Sequence, residues 1–207
     1  ACTGEYAQFH GGTVNSVASA MTTTMNRVNG VYENEVAVRL ILVANNNSLI
    51  FLNSSTDPFS NNNTGQLIGQ SQTQITSIIG TNNFDIGHVF STGAGGLAGL
   101  GVICRNNSKG RGVTGISQPI GDPFDIDYVA HEIGHQFGGN HTFNGSSGSC
   151  TFNIANNAAY EPGSGTTIMA YAGICAGQNT ANNSDAYFHT HSFDEIIAYS
   201  TQGSGSN

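Results

Sequence analysis

Residues 131–141 read His-Glu-Ile-Gly-His-Gln-Phe-Gly-Gly-Asn-His, and this spacing constrains the chain more than any other stretch. Side chains four apart project from one face of a helix, one turn above the other. His131 and His135 therefore call for helical backbone and can share a single zinc ion. Glu132 lies about 100° round that helix, close enough to reach a water at the metal without ligating it. Gly138 ends the helix, and Gly138-Gly139 lets the chain reverse because glycine accepts positive φ. His141 follows six residues after His135, where a reversed chain returns a third imidazole to the same ion. Three imidazoles leave the fourth zinc position open, as in catalytic rather than structural sites. The expected chemistry is hydrolysis by a water activated at zinc, with Glu132 as general base.

The rest of the chain predicts what carries this helix. Asp122-Pro123 opens it, with a carboxylate cap and a proline in the first turn. Val14, Val17, Ala18, Met21, Met25 and Val28 fall at helical spacing, which predicts a helix capped by Thr13 and ended by Gly30. A second helix is predicted over 66–79, closed by Gly80. Strands are expected over 3–10, 36–44, 49–52, 84–90 and 100–104, with 96–101 as an upper-rim edge. This alternation predicts an α/β (α+β) fold, a mixed twisted sheet with packed helices. Between 140 and 185 periodicity disappears and Gly, Asn and Ser dominate, before a last helix announced by capping-box spacing at Ser192–Glu195. One domain over 1–207 is expected, with an upper lobe at 1–138 and a smaller irregular lobe at 139–207.

Composition excludes some function classes. Five Lys+Arg stand against thirteen Asp+Glu, a net charge of −8, so no cationic surface for nucleic acid or anionic membrane is expected. No apolar run approaches the roughly 20 residues of a membrane helix. Cys2, Cys104, Cys150 and Cys175 are widely spaced and include no C-x-x-C pair, which favours disulfides and an oxidising compartment. Of the three possible pairings, Cys150–Cys175 with Cys2–Cys104 is favoured. With a surface rich in Asn, Ser, Thr and Gly, this points to secretion. The sequon Asn140-His141-Thr142 overlaps the third histidine, where a glycan would crowd the cleft, so bacterial export is expected.

His131-Glu132-x-x-His135-x-x-Gly138-x-x-His141 resembles the zinc motif of the metzincin endopeptidases. Ile168-Met169-Ala170-Tyr171 is similar to their Met-turn, in which Met169 forms a packed floor beneath the histidines. Residues 85–90 and 99–104 resemble the strands that precede the zinc helix in reprolysin-like (adamalysin-type) enzymes, and secreted bacterial members look closest. Thr142 stands where animal reprolysins carry Asp, and Tyr171 stands where astacins and serralysins place a tyrosine. By that analogy Tyr171 is an oxyanion stabiliser or an extra zinc ligand; the competing reading is packing beside the turn. The resemblance implies a secreted zinc endopeptidase acting on proteins or peptides as a monomer, with its own prodomain as inhibitor. Peptide is expected to add as a strand along Gly96, Leu97, Ala98 and Gly99. Glu5 and Asp85 match carboxylates that hold calcium in some adamalysin-like enzymes, the alternative being a buried hydrogen-bonded pair. A catalytically silent binding or adhesion domain is the other function considered, and intact Glu132 counts against it.

Overall fold

The computed structural model describes residues 1–93, 95–203 and 205; Ala94, Ser204, Ser206 and Asn207 lie outside it. Thr13 caps the longest helix, α2 (Val14–Val36), accepting the Ser16 backbone N–H while the Ser16 hydroxyl accepts that of Thr13. The helix runs through Gly30, where an end was expected, and stops at Ala37 in the left-handed region. Val31, Tyr32 and Val36 extend its buried stripe, and their burial outweighs the roughly 1 kcal/mol helix penalty of one glycine. Helix α3 (Thr64–Ile79) forms as predicted, capped by the Asn63 side chain and ended by Gly80 at φ 81°. No helix is long and apolar enough to cross a membrane among the described residues.

The N-terminal stretch expected as a strand is instead a short helix, α1 (Gly4–Phe9), capped by Thr3. Its Tyr6 ring lies tilted against that of the C-cap residue His10, with centroids 4.4 Å apart, and also packs on Phe90 and Phe124. The sheet is correspondingly small. Strands β1 (Val89–Ser91), β2 (Gly95–Ala98) and β3 (Gly112–Gly115) lie in the order β1-β3-β2, with β1 parallel and β2 antiparallel to β3. The expected strands at 36–44, 49–52 and 100–104 do not form. Val36 completes α2, while Leu40 exchanges both backbone bonds with the Asn29 side chain. At 100–104 the N–H groups of Gly101, Val102 and Ile103 donate to the His135 and Gln136 carbonyls. That turn therefore braces the C-terminal end of the zinc-motif helix rather than adding a strand.

The favoured cysteine pairing holds for one bridge and fails for the other. Cys150 and Cys175 form a disulfide across the irregular region. Cys2 and Cys104 are free thiols. Cys2 is pinned in the core by backbone bridges to Ile50 and Phe90, and Cys104 sits at positive φ in a turn bonded to Asp85 O. Burial pushes the Cys2 thiol up to about 11.

Val17, Met21, Val28 and Tyr32 of α2 share one core with Ile126, Val129, Ala130 and Ile133, and the Tyr32 hydroxyl donates to Ala130 O at 2.8 Å. The last helix, α6 (Thr190–Gln202), is capped by the His189 ring rather than by Ser192, which lies inside it and is buried. Between sheet and zinc-motif helix, His88 Nδ1 donates to Gln136 Oε1 at 2.9 Å and Nε2 accepts from the Thr114 hydroxyl at 2.8 Å. Burial keeps this ring neutral and lowers its pKa to about 4. An unfolded histidine protonates near 6.5, so stability from neutral His88 is full above that value and declines as the pH falls towards 4. The expected loss is about 3 kcal/mol. Urea denaturation of wild type and His88→Gln between pH 7 and 4 checks it: the steeper decline belongs to the wild type, and parallel curves would refute the assignment.

Candidate active site

One continuous helical run carries the motif: α4 (Asp122–Phe124), a π-helical segment (Asp125–Ala130) and α5 (His131–Gln136). Gly121 occupies the cap position expected for Asp122, which instead forms a two-point ion pair with Arg27 at 2.7 and 2.9 Å. The run ends at Phe137, and Gly138 turns the chain at φ 91°. The Gly139 N–H then returns to Gly134 O at 2.9 Å, fixing the reversal that brings His141 back.

The three histidines converge as their spacing predicts. His135 Nε2 lies 3.0 Å from both His131 Nε2 and His141 Nε2. Each Nδ1 faces a backbone carbonyl: His131 at Ile168 O (2.6 Å), His135 at Gly139 O (2.7 Å) and His141 at Asn153 O (2.7 Å). Those carbonyls can only accept, so each ring carries its proton on Nδ1 and turns an Nε2 lone pair inward. Burial, with mutual repulsion, lowers the pKa of His131 and His135, the latter to about 3, so both stay neutral. Three lone pairs aimed at one point repel unless a cation lies between them, and this donor set suits zinc. Among the described residues these histidines are the group of ligating side chains close enough to hold a metal ion.

Glu132 is 6 % exposed and its Oε2 has no hydrogen-bond partner. Burial alone raises its pKa to about 8. Strand β2 passes directly over this carboxylate, since a Cβ added at Gly96 would overlap Glu132 Oε1. Beneath the histidines, Thr167–Ala170 form a tight turn closed by Ala170 N–H to Thr167 O at 2.9 Å. Met169 in this turn is fully buried, and its sulfur fills the space a side chain at Gly134 would need. The same turn supplies Ile168 O to His131 and Met169 O to the Thr142 N–H, so it touches both histidine-bearing segments. The Tyr171 ring stacks on Phe143 and lies 4.5 Å from the His141 ring and 5.5 Å from that of His131. Burial and the Glu132 charge hold its hydroxyl well above the usual phenol range, so it remains a donor.

A cleft opens on both sides of this cluster. Gly96, Leu97 and Ala98 line one arm with Glu132, His135 and His141, whereas Gly99 pairs with Arg111 O and lies outside the lining. The other arm is a cavity of about 540 Å³ bounded by Tyr171–Ile174, Asn182–Ser184 and the helix face at Asp127, Tyr128, His131 and Glu132. β2 is an edge strand, paired on one side to β3.

The structure gives no support to the expected calcium pair. Glu5 stands on α1 rather than on a strand, and Asp85 is exposed with its carbonyl bonded to Cys104 N–H. Calcium takes 6–8 oxygen ligands, and among the described residues neither carboxylate joins a group of three ligating side chains. Sequence reading missed Asp127 and Glu161. Asp127 repeats the four-residue spacing one step before His131, a signal that was present. Glu161 carries no such signal, because its partners come from loops.

A family model described as metallo-peptidase family M12B, reprolysin-like, matches residues 1–199. No curated protein matches the chain.

Proposed function

Because the chain belongs to the reprolysin-like metallopeptidases of family M12B, we propose that it is a secreted zinc endopeptidase with Glu132 as general base. The observation that carries this reading is the unpartnered Glu132 carboxylate, buried beside three converging Nε2 atoms. His131, His135 and His141 hold the ion, and zinc when bound supplies a Lewis acid for peptide hydrolysis. An extended peptide pairs its main chain with the open edge of β2, which sets its scissile carbonyl above Glu132. Glu132 Oε2, lacking a protein donor, accepts the proton of the attacking water and passes it to the leaving amine. The neutral Tyr171 hydroxyl donates to the oxyanion that develops at the scissile carbonyl. Met169 keeps the turn packed against Gly134 and acts only by position. The larger cavity receives the side chain after the scissile bond. One domain over 1–207, a monomer of bacterial origin held latent by its own prodomain, completes the reading.

The test uses peptides blocked at both ends, offered to the protein as isolated, after chelation, and after zinc is restored. Internal cleavage, lost on chelation and regained with one equivalent of zinc, is expected. A chain that takes up one zinc and cuts no blocked peptide would refute the reading.

A further inference from the structure

Asp127 lies in the π-helical segment one turn before His131, and its side chain lines the 540 Å³ cavity beside Glu132. Its Oδ1 accepts the Ser184 backbone N–H at 2.8 Å, which ties the wall at 182–184 to the helix. That bond, and a second from the Ser184 side chain, hold the carboxylate without neutralising its charge. Among the described residues no Lys, Arg or His forms an ion pair with Asp127. Asp127 and Glu132 are the carboxylates of this lining, and it holds no lysine or arginine. A partly desolvated carboxylate without a counter-ion is costly, and here burial raises the Asp127 pKa in spite of the Ser184 hydrogen bonds that pull it down. The remaining walls are of two kinds. Ile116, Pro123, Ala170, Ala172 and Ile174 offer apolar surface, while Asn182 and Asn183 are uncharged and polar. With Glu132 reserved for the reacting water, apolar walls together with the Asp127 carboxylate suit a side chain with a long aliphatic stem and a cationic head. A short or branched apolar side chain would leave the carboxylate unpaired and much of the volume unfilled.

We propose that Asp127 makes this cavity a subsite for lysine or arginine immediately after the scissile bond, so that the substrates are peptides cut on the amino side of a basic residue. The inference rests on the endopeptidase reading, and its experiment separates the two. Fluorogenic peptides identical except for Lys, Arg, Leu or Glu after the scissile bond are cleaved by wild type, Asp127→Asn and Asp127→Glu. The wild type is expected to favour Lys and Arg over Leu by about tenfold in kcat/KM, with Glu poorest. In Asp127→Asn the amide oxygen still receives the Ser184 N–H, and the Lys-to-Leu ratio falls towards one. Asp127→Glu keeps the charge and retains the preference. The same peptides, labelled, are titrated onto zinc-loaded Glu132→Ala and followed by fluorescence polarisation. If nothing is cleaved but the Lys peptide binds about tenfold tighter than the Leu peptide, the subsite stands and the endopeptidase reading falls. Equal binding of Lys and Leu peptides, or a wild-type preference for Leu or Glu, overturns the subsite. So does an Asp127→Asn variant that keeps the full basic preference.

Discussion

Replacing Glu132 by alanine is expected to cut kcat/KM by about 10²- to 10⁴-fold, the usual contribution of a general base, while zinc stays at one per chain. Zinc retention follows because Glu132 is not among the converging nitrogens and donates or accepts no bond that orients them. The zinc-free proteins give a second, less obvious expectation. A carboxylate whose folded pKa is raised destabilises the native state wherever the unfolded chain is already ionised. For Glu132 that window opens above its ordinary value of 4.5 and is fully reached near pH 8. Zinc-free Glu132→Ala should therefore melt several degrees above zinc-free wild type at pH 8, and the gap should close as the pH falls below 4.5. Calorimetry at both ends of that range decides it. A variant that melts lower, or loses zinc, would mean that Glu132 braces the fold rather than waiting for substrate. The combination of lost activity and gained stability is the signature of a group held at a cost for its chemistry.

The zinc centre was legible because its rules are local. Four-residue spacing on one helix and a glycine at positive φ need nothing from the rest of the chain, and His131, His135, Gly138 and His141 obey both. Helices α2 and α3 were legible for the same reason, since 23 and 16 residues repeat an apolar stripe several times. The sheet was not. Strands of three or four residues hold at most two alternations, and β3, bounded by Gly112 and Gly115, shows fewer still. The run at 36–44 looked like a strand because it is β-branched and apolar. Its first residue, Val36, belongs to α2, and Val38, Leu40 and Val43 pack on the cores around the two long helices without strand partners. At 100–104 the competing partner was the exposed end of α5, whose carbonyls took the N–H groups a strand would have used. Cys2 and Cys104 stay free, and nothing in their spacing distinguishes them from a pair, whereas Cys150 and Cys175 lie in the irregular stretch where fastening was expected. Asp127 was half visible through its distance from His131. Glu161 was invisible, because a buried carboxylate in a loop is recognised by who points at it.

Glu161→Ala is expected to lower stability by about 4 kcal/mol, on the order of 10 °C in Tm for a chain of this size, and to weaken zinc binding about 10- to 100-fold. Glu161 is 8 % exposed and draws on both segments that position the histidines. Its Oε1 accepts the hydroxyls of Thr142, at 2.5 Å, and of Thr167. Its Oε2 accepts the N–H groups of Thr166 and Thr167 at 2.8 and 3.1 Å. Thr142 follows His141, and Thr167 begins the turn that carries Met169 and supplies Ile168 O to His131. One carboxylate thus fastens the third histidine's loop to the floor beneath the other two. Truncation strands four donors in a buried site, each worth roughly 1 kcal/mol or more. Glutamine should restore most of the loss: its carbonyl can face the two N–H groups, and the threonine hydroxyls can rotate to accept from its NH₂. Burial raises the Glu161 pKa, but the four hydrogen bonds together outweigh it and leave the value lowered. Its charge therefore stabilises the native state above the ordinary carboxylate value, and that contribution is lost as the pH falls through the lowered one. The wild-type advantage over Glu161→Gln should accordingly shrink in acid, in melts followed by circular dichroism. Zinc competition against a chromogenic chelator separates positioning from bulk stability. If Glu161→Ala binds zinc as tightly as the wild type at a temperature where both are folded, the carboxylate supports the loop and not the metal site.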